Sequence, residues 1–318
     1  MRKLGFILLF ACSVFFAGAQ TNIQFEMTVA QDGSGDFESI QAAIDATKAY
    51  PPQRITIFIK NGLYNEKVCV PAWNNQLSFI GENRDKTIII WDDYFDQINR
   101  GRNSTFFTYT FKVEADDFYA ENLTISNAAG PVGQAVALHV EGNRCRFKNC
   151  KILGNQDTVF LDGENSHQLF ENCIITGSTD FIFGSATVVF QKCTIISKKN
   201  SYITAASTRK NKDFGFVFID CSLQADEGVQ QVYLGRPWRP YAKTVFLNCF
   251  LGQHICSEGW AAWSNKEDTG TTFYAEYNST GPGASQNRVE WTKQLSRKEA
   301  AKYTLKNILG EWTTQINE

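Results

Sequence analysis

One short pattern of apolar and polar positions recurs through the middle of the chain. Each copy has a stretch rich in Phe, Val and Ile, then Asn, Asp or Lys, then Cys, and then Ile or Leu two residues after the cysteine. The cysteines of five copies, spaced 23, 20, 28 and 28 residues apart, are Cys150, Cys173, Cys193, Cys221 and Cys249. Strand-forming residues followed by a residue that tolerates left-handed backbone predict two strands joined by a tight bend.

The spacing of these copies predicts a solenoid. A single coil cannot bury its own apolar face, so successive coils are expected to stack. A β-sandwich is the alternative, but it gives no reason for cysteine to recur at one phase. The pattern therefore predicts an all-β fold, a parallel β-helix. Cysteines at equivalent positions of a repeat are expected to be mostly free, buried thiols.

Both ends of the repeat carry helical signals. Between Ser39 and Thr47, Ile40, Ala43 and Ile44 share one face and predict a short amphipathic helix. Near the other end, Ser296 to Glu299 form a capping box that precedes further apolar residues, and Gly310 is a helix stop. We therefore expect short capping helices at both termini, where they cover strands that would otherwise recruit other chains.

The first 19 residues differ in character from the rest. A short basic start at Arg2 and Lys3 precedes a nearly continuous apolar run, which ends in an A-x-A cleavage pattern. This arrangement predicts a signal peptide over residues 1–19 and one domain over residues 20–318, secreted or periplasmic. Lipoprotein anchoring through Cys12 is a less favoured alternative. A membrane anchor is disfavoured because the apolar run is too short.

Charge limits the partners that the protein can have. Without the signal peptide, 29 basic residues face 33 acidic residues, a net charge of −4. No overall basic field is present to neutralise phosphates, so nucleic acid is not an expected partner. A local basic groove for an acidic polysaccharide is compatible with this balance.

The histidines argue against two common hydrolase types. The chain has three, His139, His167 and His254, and it has neither a G-x-S-x-G nor an H-E-x-x-H motif. A serine-histidine hydrolase and a zinc hydrolase are therefore both disfavoured. Each histidine is expected to be a structural or surface residue.

Five polar residues instead interrupt apolar strand sequence in the middle of the chain. They are Gln134, Gln156, Asp157, Asp180 and Arg236. Any one of them alone could simply solvate an exterior face. However, Gln134 and Gln156 are 22 residues apart, and Asp157 and Asp180 are 23 apart, which is close to the coil length of this region. Stacking is therefore expected to bring these groups onto one face of adjacent coils.

A set of eight segments, in order along the chain, resembles the pectin methylesterases. The resemblance covers essentially the whole mature chain and implies a right-handed, single-stranded parallel β-helix. The segments are VAQDGSGDFESIQAAID (29–45), GLYNEKV (62–68), QAVAL (134–138), QDTVF (156–160), DFIFG (180–184), LGRPW (234–238), GWAAW (259–263) and FYAEYNSTGPGA (273–284).

The resemblance implies a division of labour between the two aspartates. Asp180 matches the nucleophile that attacks the C6 methyl ester of a galacturonate unit in homogalacturonan. Asp157 matches the general acid that protonates departing methanol and then acts as a base toward water. Two carboxyl groups can share these roles only if their surroundings separate their pKa values. Arg236 matches an arginine that orients the nucleophile, keeping it ionised.

The resemblance also implies how the substrate is held. Gln134 and Gln156 match residues that bind the developing oxyanion, a role that suits neutral amide donors. Trp238 and Phe183 match aromatic residues of the substrate groove, where the apolar face of a sugar packs on a ring. Pectin is thus the expected partner, with no metal and no cofactor, and the protein is expected to be a monomer.

The chain departs slightly from the usual pattern of the family, and other readings stay open. Val159-Phe160 follows Gln-Asp-Thr where Leu-Tyr is commoner, and residues 205–207 also vary, which leaves the preferred substrate length and methylation pattern undetermined. A polygalacturonase would need adjacent aspartates, which occur only at 92–93 and 116–117, outside the central group. A calcium-dependent pectate lyase would need a carboxylate cage. A non-catalytic carbohydrate-binding β-helix is the third alternative.

Overall fold

The computed structural model describes residues 23–264 and 269–316, which build three parallel sheets. Each complete coil gives one strand to each sheet in turn, and every strand pairs with strands of neighbouring coils. Within these described residues, sheet 1 has eleven strands, sheet 2 has eight and sheet 3 has seven. The predicted all-β parallel β-helix is confirmed.

The strands are short, and most have three to five residues. Sheet 1 comprises Glu26–Val29, Ile55–Ile59, Leu77–Gly81, Tyr119–Glu121, Cys145–Lys148, His167–Glu171, Thr187–Gln191, Phe216–Ile219, Lys243–Leu247, Phe273–Tyr277 and Lys293–Gln294. Sheet 2 comprises Gly62–Asn65, Thr87–Trp91, Thr124–Asn127, Lys151–Leu153, Ile174–Gly177, Thr194–Ser197, Ser222–Ala225 and Phe250–Leu251. Sheet 3 comprises Val68–Val70, Phe111–Val113, Leu138–Val140, Val159–Leu161, Ile182–Gly184, Tyr202–Ala206 and Tyr233–Gly235.

The bend between sheet 1 and sheet 2 uses left-handed backbone, as the repeat predicted. Asn149 has a φ of 50° and Asn172 a φ of 53°, and the equivalent residues of other coils share this conformation. Asn and Asp adopt it more readily than most residues because their short polar side chains tolerate it. The side chains also stack, since Nδ2 of Asn149 donates to Oδ1 of Asn122 at 2.6 Å. The residue before each cysteine therefore sets the corner of the coil.

The phenylalanine of each repeat forms a ladder inside the β-helix. Phe170 and Phe190 pair in register, as do Phe190 and Phe218. Their rings stack, with centroids 5.2 Å and 4.4 Å apart respectively. Phe147 and Phe246 extend the ladder at its two ends. Each fully buried ring contributes roughly 1.5–3 kcal/mol of hydrophobic free energy, so the repeat holds the coils together.

The cysteines of the described residues are free thiols, and the prediction of mostly free, buried thiols is confirmed. None of the eight in the described residues forms a disulfide, and the five repeat cysteines are all buried. Each Sγ donates weakly to a backbone carbonyl of the preceding coil, as Cys193 does to Phe170 at 3.4 Å. They therefore act as small core residues whose S–H is satisfied by the stacked backbone.

The N-terminal helix, Ile40–Ala46, closes one end of the core. The Ser39 side chain caps it by accepting from the backbone N–H of Ala42, and Ile40, Ala43 and Ile44 are buried as predicted. The helix thus covers the interior that the first coil would otherwise expose.

The C-terminal segment forms three short helices, Arg297–Ala300, Leu305–Leu309 and Trp312–Ile316. Ser296 and Glu299 make the predicted capping box. The helical run is interrupted because Thr304 caps a second helix by accepting from the N–H of Asn307, and Gly310 ends that helix. Ile308 and Leu309 pack against outward-facing residues of sheet 1, including Val189. These helices therefore cover an apolar flank of sheet 1.

An irregular excursion between Trp91 and Phe111 builds one wall beside sheet 3. It contains the short helix Phe95–Ile98 and the 3₁₀ helix Gly101–Phe107, while a second 3₁₀ turn lies at Thr269–Thr271. The side-chain ammonium of Lys67 holds this wall by bonding to Asp93 and to the carbonyl of Phe107. No helix within the described residues is long and apolar enough to cross a membrane. The predicted signal peptide lies outside those residues.

Candidate active site

The two aspartates lie at the bends that lead from sheet 2 into sheet 3. Asp157 has a φ of 61° and Asp180 a φ of 48°, so both occupy left-handed backbone. The pairing of Val159 with Ile182 sets the register of the two coils and places Asp157 beside Asp180. Aspartate therefore suits both the left-handed bend and the predicted chemistry. The predicted stacking of Asp157 and Asp180 is confirmed.

The two glutamines lie on the same edge: Gln156 immediately precedes Asp157 in the same coil, and Gln134 lies one coil earlier. Gln134 and Gln156 form a parallel bridge. The excursion meets them here, since the N–H of Phe95 donates to the carbonyl of Gln134 at 2.9 Å. Both residues are half-buried and line the cleft. No hydrogen bond ties either side-chain amide to another of the described residues, so their N–H groups are available to a ligand.

Arg236 binds one aspartate of the pair. Its Nε donates to Oδ1 of Asp180 at 3.0 Å, and its Nη2 donates to Oδ2 at 2.6 Å. The guanidinium also lies between the rings of Tyr202 and Trp263, 4.0 Å and 4.1 Å from their centroids. Such a two-pronged contact fixes the plane of the carboxylate as well as its position. Asp180 is only 6% exposed, so its carboxylate is held rigidly.

The surroundings separate the acidities of the two carboxyl groups. Burial, together with the nearby charge of Asp180, raises the pKa of Asp157 well above its usual value. Burial also raises the pKa of Asp180, but the hydrogen bonds and the charge of Arg236 oppose this rise. Arg236 therefore offsets part of the burial effect on Asp180. Because Asp157 lacks those hydrogen bonds, a proton shared by the pair resides on Asp157.

A cleft of about 660 Å³ surrounds these groups. Its floor includes Phe183, which pairs with Ala205 in sheet 3 and meets the ring of Trp238 edge-on at 5.9 Å. All seven predicted site residues line this one cleft. The other lining residues are Phe95, Arg102, Asn103, Thr105, Phe106, Ala205, Arg239 and Trp263.

Part of this lining was missed by the sequence reasoning. Trp263 belongs to the segment GWAAW, so a signal for it was present. Arg102 and Phe106 come from the irregular excursion, which has no periodic pattern that could have placed them.

Phe160, one of the departures from the usual family pattern, packs beneath the cleft between His139 and Phe183. Its ring centroid lies 4.7 Å from that of His139 and 4.8 Å from that of Phe183.

The histidines lie away from the reacting groups. His139 is buried, and its Nε2 lies 2.7 Å from Oε1 of Glu141. His167 lies near Asn143, and His254 is buried. None of them lines the cleft, which agrees with the predicted structural roles. Among the described residues, no group of three or more His, Cys, Asp and Glu side chains could hold a metal ion.

Known proteins resemble the chain over nearly its full length. A sequence model of the family Pectinesterase matches residues 26–311. Pectinesterase 31 of Arabidopsis thaliana is 36% identical over 284 residues, which are 86% of this chain and 89% of that protein. Among solved structures, pectin methylesterase from carrot has a TM-score of 0.85 at 32% identity, covering 92% of this chain and 96% of the other. A pectin methylesterase in complex with a hexasaccharide has a TM-score of 0.78 at 29% identity, covering 90% and 97%.

Proposed function

The chain belongs to the pectinesterase family and is a carboxylic ester hydrolase that acts on methyl-esterified pectin, and we propose that Asp180 and Asp157 perform its chemistry as nucleophile and general acid/base. One observation carries this assignment: the two carboxyl groups lie in adjacent coils, and the hydrogen bonds that Arg236 makes to this pair within the described residues go to Asp180. An ionised, oriented carboxylate beside a protonated carboxyl group is what a two-step ester hydrolysis requires.

In the first step, the carboxylate of Asp180 attacks the C6 carbonyl carbon of a methyl-esterified galacturonate unit. The carbonyl π electrons move to oxygen and form an oxyanion. The free side-chain N–H groups of Gln134 and Gln156 face the cleft and stabilise that charge. Neutral amides suit this role because they donate hydrogen bonds without holding a carboxylate product through charge.

Collapse of the oxyanion then breaks the bond to the methoxy group. Asp157 gives its proton to the leaving oxygen, so methanol departs and an acyl anhydride links the substrate to Asp180. Asp157, now ionised, takes a proton from water as the water attacks this anhydride. The anhydride then breaks with Asp180 expelled as a carboxylate, and Asp157 is protonated again. The galacturonic acid product leaves the cleft and gives its proton to the solvent.

The aromatic floor of the cleft supports binding of the polysaccharide. Phe183 and Trp238 present ring surfaces beside the reacting carboxylates, and a sugar ring packs its C–H face on such surfaces. A related pectin methylesterase has been solved with a hexasaccharide. Accordingly, we assign Phe183 and Trp238 to binding of the galacturonan chain.

We also propose that residues 1–19 are a signal peptide, that residues 20–318 form the catalytic domain, and that the protein acts outside the cytoplasm as a monomer. The basic start, apolar run and A-x-A pattern support export. Intact mass and light scattering of the protein secreted by its host would give the mature N-terminus and the oligomeric state. A mass that retains residues 1–19, or a lipid attached to Cys12, would overturn this assignment.

The proposed chemistry is tested by following three products at once from highly methylated pectin in the presence of a chelator. Methanol should form without unsaturated products and without new reducing ends, because Asp180 attacks the ester and leaves the glycosidic bond intact. Unsaturated products, or reducing ends without methanol, would overturn the proposal.

A further inference from the structure

The side chain of Arg236 reaches Asp180 across an intervening coil. Asp180 leads into strand Ile182–Gly184, the next coil contributes Tyr202–Ala206, and the coil after that contributes Tyr233–Gly235, which Arg236 follows. Neighbouring strands are about 4.8 Å apart, so this side chain spans two spacings, roughly 10 Å. Ordering such a long, flexible side chain costs conformational entropy. Its position at Asp180 therefore depends on the groups that it lies against.

The ring of Tyr202 lies beside this path. The backbone N–H of Asp180 donates to the carbonyl of Tyr202 at 2.8 Å, so the two residues are neighbours in successive coils. The guanidinium carbon of Arg236 is 4.0 Å from the centroid of the Tyr202 ring. An aromatic face attracts a cation at this distance, and the attraction grows as water is excluded. The Arg236 side chain is only 20% exposed, so the contact is partly desolvated.

The Tyr202 ring is itself fixed from the next coil. Tyr202 and Tyr233 pair in register, and their rings stack with centroids 5.3 Å apart and an interplanar angle of 24°. Trp263 also lies against the guanidinium, but it lines the cleft, whereas Tyr202 is not among the described lining residues. Tyr202 can therefore be replaced while the lining of the cleft stays intact.

We propose that Tyr202 is a positioning residue for the reaction: its ring holds the guanidinium of Arg236 in the plane in which it binds both oxygens of Asp180. Tyr202 acts through Arg236 and does not touch the reacting atoms. The attraction comes from the face of the ring, so phenylalanine should serve at this position and an aliphatic side chain should not. This inference rests on the proposed roles of Asp180 and Arg236.

The test compares Tyr202→Leu and Tyr202→Phe with wild type by steady-state methanol release from methylated pectin. Leucine keeps apolar bulk beside Asp180 but has no aromatic face. We expect kcat to fall about tenfold in Tyr202→Leu and to change by less than about twofold in Tyr202→Phe. KM should stay within about twofold of wild type in both. Tyr119→Leu is the matched control, because the Tyr119 ring lies 5.6 Å from the guanidinium of Arg146 on sheet 1.

The pH profile of kcat separates positioning from a general loss of structure. The charged groups that act on Asp180 are Arg236, which lowers its pKa against burial, and Asp157. The other charged residues of the described cleft lining are Arg102 and Arg239. A loosened guanidinium lets the pKa of Asp180 rise, so the acid limb should move to higher pH in Tyr202→Leu and stay in place in Tyr202→Phe. A smaller folded fraction would lower the rate without moving the limb.

Three results would overturn the inference. An unchanged kcat with an unmoved acid limb in Tyr202→Leu would show that the ring does not position Arg236. A rise in KM at constant kcat would assign Tyr202 to substrate binding. An equal loss in Tyr202→Phe would assign the effect to the phenolic hydroxyl.

Solvent exchange of the Arg236 Nε–H, measured by NMR, tests the contact without turnover. This group donates to Oδ1 of Asp180 at 3.0 Å, so its exchange reports release of the guanidinium, and its resonance is identified by its absence in Arg236→Lys. We expect exchange about tenfold faster in Tyr202→Leu than in Tyr202→Phe. That result supports the positioning of Arg236 even if Asp180→Asn retains turnover and the proposed nucleophile is wrong. Equal exchange in the two variants contradicts it.

Discussion

The guanidinium of Arg236 holds Asp180 through two hydrogen bonds of 3.0 Å and 2.6 Å, whereas none of its hydrogen bonds within the described residues reaches Asp157. This asymmetry distinguishes two carboxyl groups that occupy equivalent bends of neighbouring coils. The backbone alone does not distinguish the two carboxyl groups, because both lie at the same kind of bend. The proposed roles of nucleophile and acid therefore depend on one side chain contributed from a later coil.

Replacing Arg236 with lysine should show this dependence. Arg236→Lys keeps a positive charge but loses the two-pronged contact, so we expect kcat to fall by about 10²-fold. The hydrogen bonds of Arg236 lower the pKa of Asp180 against the effect of burial. Weakening them raises that pKa, so activity should be lost at a higher pH on acidification than in wild type. A pH profile of kcat checks this, and an unshifted acid limb would contradict it.

Asp157 is expected to destabilise the folded protein, although the proposed reaction needs it. Its raised pKa means that stability falls as pH rises from the ordinary aspartate pKa toward the raised value, because the folded protein holds this proton more tightly than the unfolded chain. Asp157→Asn should therefore raise Tm by a few degrees at neutral pH, reduce this pH dependence and abolish turnover. Calorimetry between pH 4 and pH 8, with methanol assays, measures all three. A lower Tm would show that Asp157 is not destabilising.

The glutamines should act on the transition state. Gln134→Ala and Gln156→Ala each remove one amide donor, and loss of one oxyanion donor costs about 3 kcal/mol, or roughly 10²–10³-fold in kcat. KM should change little because the charge develops only during the reaction. Steady-state kinetics on methylated pectin measure both constants, with Gln224→Ala, exposed on sheet 2, as the control. A rise in KM at constant kcat would instead assign these residues to ground-state binding.

The phenylalanine ladder should carry much of the stability of the β-helix. Phe190 stacks on Phe170 and Phe218, so Phe190→Ala should reduce the free energy of unfolding by about 3–5 kcal/mol. Phe250, which is 48% exposed, is the matched control, and Phe250→Ala should cost far less. Denaturant unfolding of both variants measures the difference. Similar losses would mean that the ladder does not hold the coils together.

The sequence predicted those parts of the molecule that repeat. The regular spacing of the cysteines predicted that the coils stack, since equivalent residues of a solenoid meet in register. For the same reason, the 23-residue interval between Asp157 and Asp180 predicted that these two residues lie side by side. The wall residues Arg102 and Phe106 could not be predicted, because the excursion between Trp91 and Phe111 breaks the period. The interruption near Thr304 was missed because a second N-cap overrode the apolar pattern of the C-terminal helix.

An aspartate at a second left-handed bend provides a control for the substitution of Asp180. Asp220 occupies a left-handed bend with a φ of 55°, close to the 48° of Asp180, but it belongs to the corner between sheets 1 and 2. Asparagine tolerates this backbone as well as aspartate does. Both Asp180→Asn and Asp220→Asn should therefore fold like wild type, and only the first removes a carboxylate from the cleft.

The rate of methanol release by Asp180→Asn, with circular dichroism recorded on the same sample, tests the central assignment most directly. We expect an unchanged spectrum and a loss of at least about 10³-fold in kcat, because the amide cannot attack the ester. Asp220→Asn should keep wild-type activity. Near-wild-type turnover by Asp180→Asn with a native spectrum would contradict the assignment of Asp180 as the nucleophile.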